Sequence, residues 1–225
     1  MARVCAASCA IKLAVGWLVI LSCATLAVSS AVADEATAPL LTAETVRSDY
    51  KALAKSWVPI PDMALNAVVA AEDPAFFFGP AQNSTITVQL GKRYIKAGMR
   101  TILLKVTQYH NATTLARELT HEEILNWYAQ EIYLGGVCYG LVDSAAEYFG
   151  RDVDALEVQD YALLAGLIRS PGRYDPVRTP DRATERRNQV IDEMLSARFL
   201  TQAQAADATA TELGVRLPVG RCDQE

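Results

Sequence analysis

The chain is poor in the residues that build metal cages, and it has no excess of positive charge. Among 225 residues there are two histidines, His110 and His121, and no Cys-x-x-Cys pair. The spacing of a His/Cys metal site is therefore missing, and no protein metal ligands are expected. Lys and Arg number 21 against 26 Asp and Glu, a net charge of −5. That balance excludes a basic nucleic-acid footprint, so no nucleic-acid partner is expected. Cysteine is scarce too. Of five, Cys5, Cys9 and Cys23 lie within the first 33 residues, leaving Cys138 and Cys222 to pair or not in an oxidising compartment. Strand-like alternation of any length and internal repeats are also lacking, which leaves an all-α fold.

What is present begins with a leader. Arg3 and Lys12 precede an uncharged run, 13–33, that closes Ala31-Val32-Ala33 before Asp34 and Glu35. A basic start, an apolar middle and small residues at the recognition positions describe a signal peptide cleaved after Ala33. The same run is long enough to remain as a membrane anchor. A lipoprotein site at Ile20-Leu21-Ser22-Cys23 is the weaker reading, because Leu21 is bulky there. All three readings export the chain. The organisation expected is a leader at 1–33, a linker and helix at 34–56, the main domain at 57–200, and a C-terminal helix and tail at 201–225.

Helical spacing runs through the rest. Residues 42–55 and 62–72 are separated by Trp57-Val58-Pro59-Ile60-Pro61, where proline disfavours helix for its predecessor. Further helices are expected over 82–95 and 103–119. Thr120-x-x-Glu123 is a capping box ahead of Ile124, Trp127, Tyr128 and Ile132, with Gly135 and Gly136 as the stop. Asp154-x-x-Glu157 opens an apolar helix ending near Ile168. Residues 181–200 form a charged amphipathic helix, and Thr201-x-x-Gln204 caps a last one that stops at Gly214.

The chemistry-bearing stretch is AAEDPAFFFGPAQNSTITVQLGK, residues 70–92. An acidic pair, Glu72 and Asp73, closes an apolar run, and Ser84, Thr85, Gln89 and Lys92 follow. Taken alone, the pair reads most simply as a solvated helix end, and the hydroxyls as a helix cap. Five segments in order carry more: VVAAEDPAFF, STITVQLGK, EEILNWYAQEIYLGG, YGLVDSAAEYFGRD and DYALLAGLIRSPGRYDP. Together they resemble the peptidoglycan glycosyltransferase family (glycosyltransferase family 51), including the glycosyltransferase domain of class A penicillin-binding proteins. The likeness spans about Trp57 to Leu200.

That resemblance implies a mostly helical, lysozyme-like domain at the outer, periplasmic face of the cytoplasmic membrane. It implies polymerisation of lipid II into glycan strands with release of undecaprenyl diphosphate, helped by a divalent cation (Mg or Mn) on the diphosphate. Glu72 takes the place of the family's general base. Asp73, Ser84, Thr85, Gln89, Lys92, Lys105 and Gln108 fall at substrate-contacting positions. Partners implied are lipid II or a glycan strand, the membrane through the leader or the domain surface, and other cell-wall synthases. An apolar setting of Val68, Val69, Phe76 and Phe77 would raise the pKa of Glu72 by desolvation, as a base at neutral pH requires.

Departures from the family pattern bear on activity. Its RKxxE motif stands here as Leu104-Lys105-Val106-Thr107-Gln108, so the arginine is Leu104 and the second carboxylate is the neutral Gln108. Glu118, ten residues on, is too far along the helix to replace it. Gly79 stands where EDxxFxxH has its histidine, and the family's longer membrane-facing segment before STIT is reduced to 79–82. Two alternatives therefore stay open: a non-catalytic precursor-binding or regulatory relative, and a lytic glycan-cleaving enzyme using Glu72.

Overall fold

The structure is a computed structural model that describes residues 40–95, 98–99, 101–136 and 138–216. The leader and Cys222 lie outside the described residues. Cys138 is disulfide-bonded, and the four other cysteines are all outside that range. The described residues from Leu41 onward belong to one compact unit.

Nine helices carry the described fold: α1 (Ala43–Leu53), α2 (Asp62–Glu72), α3 (Thr85–Gly91), α4 (Thr101–Glu118), α5 (His121–Glu131), α6 (Gly140–Phe149), α7 (Val158–Leu167), α8 (Pro180–Ser196) and α9 (Gln202–Ala210). Short 3₁₀ turns at Ala81–Asn83, Lys92–Tyr94 and Val153–Ala155 join them. The one sheet among the described residues is a two-stranded ribbon, β1 (Tyr133–Gly135) against β2 (Cys138–Tyr139), antiparallel with Tyr133 opposite Tyr139. The expected all-α class holds, and the ribbon is an addition. It occupies the stretch where the paired glycines signalled only a helix stop.

The capping chemistry explains most boundaries. Thr42 Oγ1 accepts from Thr45 N–H to start α1. Thr120 and Glu123 form the expected box at α5, as do Thr201 and Gln204 at α9. One start differs. The apolar helix α7 opens from a box between Glu157 and Asp160, not from Asp154, which lies in a 3₁₀ turn. Asp160 also ion-pairs with Arg151, and that second partner favours the later start.

Helix α7 lies at the centre with every residue from Gln159 to Leu167 buried, packed between α2 and α8. Its Gly166 lets Arg186 of α8 pass, since a Cβ there would sit 3.0 Å from Arg186 Cγ. Arg187, also buried, donates to the carbonyls of Thr209 and Thr211 and so ties α8 to the end of α9. Trp127 of α5 is fully buried against Tyr50 and Trp57, with the Arg93 guanidinium 5.1 Å from its ring. Among the described residues no helix is long and apolar enough to cross a membrane.

Candidate active site

Glu72 is the last residue of α2, whose Val68, Val69 and Ala70 are buried. Burial pushes its carboxyl above the usual carboxylate range. Gln89 opposes that shift by donating from Nε2 to Glu72 Oε2 at 2.6 Å. The positive charges of Arg186, Arg169 and Lys92 oppose it further. Desolvation remains the largest effect, so the expected raised pKa is present. Phe76 supplies the expected apolar wall at 1% exposure, while Phe77 is 41% exposed.

The polar row after Glu72 splits into separate jobs. Ser84 is buried, and its Oγ accepts from Ile86 N–H as the N-cap of α3. Thr85 donates from Oγ1 to the Glu72 carbonyl at 2.9 Å, fastening the start of α3 to the end of α2. Gln89, one turn further along α3, then reaches the Glu72 side chain. Lys92 follows in the next 3₁₀ turn with its side chain exposed. Asp73 has a local partner. Its Oδ1 accepts from Ala75 N–H at 3.2 Å, closing a local turn.

Lys105 and Gln108 lie on α4, which packs on α3 through a close approach. Asn111 Nδ2 donates to the Gly91 carbonyl, and a Cβ on Gly91 would stand 3.2 Å from Asn111 Cβ. Lys105 is exposed and Gln108 half-buried, and neither has a hydrogen-bond or ion-pair partner among the described residues. Glu118 points elsewhere, paired with Arg47 of α1 at 3.2 Å.

Three groups by Glu72 were not among the expected site residues. Arg186 is 3% exposed, donates to Glu193 Oε1 at 3.2 Å and has no partner for its Nε. Arg169 is exposed just beyond the end of α7. Tyr128 of α5 is buried, its hydroxyl has no partner, and the Glu72 charge adds to burial in raising its pKa. A cavity of about 160 Å³ opens here, lined by Gln89, Lys92, Tyr128, Glu131, Tyr133 and Tyr139 among others. A sequence signal for Arg186 existed. The buried stripe of α8 runs Ala183, Arg186, Arg187, Val190, Ile191 and Met194, and a charge on such a stripe needs a buried partner.

A helical domain holding one desolvated carboxylate among cationic side chains is suited to proton removal beside an anionic leaving group. The Transglycosylase family matches residues 81–195, just over half of the chain, and the chain belongs to that family. It is similar to penicillin-binding protein 1A of Pseudomonas aeruginosa, 39% identical over 119 residues that cover 53% of this chain and 14% of that protein. The Escherichia coli protein of the same name is 38% identical over 147 residues, covering 64% and 17%. The Neisseria cinerea one is 31% identical over 185 residues, covering 73% and 23%. The chain thus spans less than a quarter of the length of these relatives. A crystal structure of penicillin-binding protein 1A from Haemophilus influenzae is 22% identical with a TM-score of 0.48, covering 70% of this chain and 17% of that one.

Proposed function

We propose that this protein is a peptidoglycan glycosyltransferase that polymerises lipid II, with Glu72 as general base. The observation that carries the reading is the Glu72 carboxylate itself: desolvated, held by Gln89, and faced by Lys92, Arg169 and Arg186. Glu72 takes the proton of an acceptor sugar hydroxyl as that oxygen attacks the donor's anomeric carbon. The bond from that carbon to the diphosphate oxygen breaks, and undecaprenyl diphosphate departs with the electron pair. Lys92, Lys105 and Arg169 are the exposed cations available to the departing charge. Thr85, Gln89 and the Ser84 cap hold the carboxylate's surroundings in place, and Asp73 shapes the adjoining turn.

The described residues hold no cluster of three His, Cys, Asp or Glu side chains suited to a metal ion. A divalent cation would therefore travel on the substrate diphosphate, and no step is routed through it. The leader at 1–33 would carry the chain to the outer face of the membrane, with 57–200 as the glycosyltransferase-like unit. Ile102, Val106 and Tyr109, all exposed on α4, offer it a lipid-facing surface.

Incubating the purified protein with lipid II is expected to yield glycan polymer, lost in Glu72→Gln. Absence of polymer from the unaltered protein with and without Mg or Mn would sink the reading. A second reading, a precursor-binding relative without turnover, is favoured by Gln108, a neutral side chain with no carboxylate partnering its neighbour Lys105. It predicts lipid II binding with no polymer, and no muropeptide release from sacculi.

A further inference from the structure

We propose that His121, the first residue of α5, is a positioning residue for Glu72 that clamps the turn leaving the carboxylate. The proposal rests on the reading of Glu72 as the base. From Glu72 the chain turns through Asp73–Gly79 and returns to Thr85, which holds the Glu72 carbonyl. Inside the turn the bonds are local: Phe76 N–H to Asp73 O at 2.9 Å, Gly79 N–H to Ala75 O at 3.0 Å, and the Asp73 side chain to Ala75 N–H. Such bonds fix the shape of a turn without fixing its place. Its place is set by the buried Phe76 ring and by His121.

The His121 ring meets Phe76 edge-on, with centroids 5.1 Å apart at 76°, and lies 6.2 Å from Phe77. Its Nε2 is 3.2 Å from the Gly79 carbonyl oxygen. A carbonyl only accepts, so Nε2 carries the proton and donates. The contact does not depend on a glycine at position 79. A Cβ there would meet only the Ala75 carbonyl, at 3.5 Å, so no backbone demand explains the glycine. The position that lacks an imidazole of its own is reached by one from another helix. That helix begins at the Thr120–Glu123 box and carries Tyr128 two turns on, beside Glu72. One capped element therefore holds both the turn after the carboxylate and the phenol next to it.

The test compares His121→Ala, His121→Asn and His121→Gln in the full chain. Glutamine places an amide N–H at about the reach of Nε2, whereas asparagine falls short. In lipid II polymerisation, kcat is expected to fall about 10- to 100-fold for Ala and Asn, as for a misplaced catalytic group, with KM unchanged. Glutamine is expected to recover most of the loss. Independently of turnover, NMR titration of the Glu72 carboxyl is expected to move down toward the ordinary value in Ala and Asn but not in Gln. If the unaltered protein makes no polymer, the glycosyltransferase reading fails and the titration still decides the clamp. An Ala variant with native kcat and native Glu72 titration overturns the proposal. So does a Gln variant as impaired as Ala in both. Should Ala fail to fold, the Asn and Gln pair carries the comparison.

Discussion

At the scale of the residue, the desolvated Glu72 carboxyl costs stability once it ionises. Its folded pKa lies above the ordinary 4.5, so between the two values the folded chain binds more protons than the unfolded one. Its contribution to stability is complete below about pH 4.5 and is lost as pH rises through the folded value. Glu72→Gln is accordingly expected to raise the melting temperature at pH 7 and to leave it unchanged near pH 4, measured by thermal unfolding at both. The same substitution is expected to cost about 10²- to 10⁴-fold in polymerisation rate, the usual worth of a general base. Activity that tracks the ionised base should climb with pH through the raised value, later than for an ordinary carboxylate. This much of the site was legible through the family resemblance, which singled out Glu72 after the apolar VVAA, whereas the acidic pair taken alone reads as a solvated helix end. The turn-level partners were not legible. Thr85, Gln89 and His121 arrive from 13, 17 and 49 residues away, and no local pattern encodes which hydroxyl caps a helix and which crosses to the next one.

At the scale of the element, α8 and the ribbon carry the sharpest dependence on single residues. Arg186 is buried and shares its charge between Glu193 and the field at Glu72. Arg186→Ala strands Glu193 and is expected to cost about 3 kcal/mol of stability by urea unfolding, toward the lower end for breaking a buried pair because Glu193 is partly exposed. It should also push the Glu72 titration further up. Gly140, the first residue of α6 directly after β2, has φ of +79° and lies so close to the Gln130 backbone that an added Cβ would overlap its carbonyl. Gly140→Ala is therefore expected to lose about 2 kcal/mol or more. Helix positions were readable from caps and periodicity, with α2 matching to the residue. The ribbon was not, because a pair of two- or three-residue strands has no room for alternation and depends on tertiary packing.

At the scale of the whole molecule, the core rather than the site decides whether the chain folds. The central α7, buried from Gln159 to Leu167, joins α2, which ends in Glu72, to α8, which brings Arg186. The retained segments YGLVDSAAEYFGRD and DYALLAGLIRSPGRYDP supply that packing through Tyr148, Phe149, Tyr161 and Leu164. Reducing the Cys138 disulfide is expected to lower stability by about 2–4 kcal/mol without changing helix content, measured by denaturant titration with and without reductant.

The aromatic cluster at Trp127 gives the protein its own optical reporter. The sequence has three tryptophans, of which Trp57 and Trp127 are among the described residues. Their rings are 6.3 Å apart, and the Trp127 indole N–H is buried without a partner. Emission from such a pair comes from one location, where the half-buried Trp57 meets the dry Trp127 of the helix that also holds Tyr128 and His121. Ligand arrival beside Glu72 could then be followed by fluorescence with no added label, reading the occupied site and the intact core in a single signal.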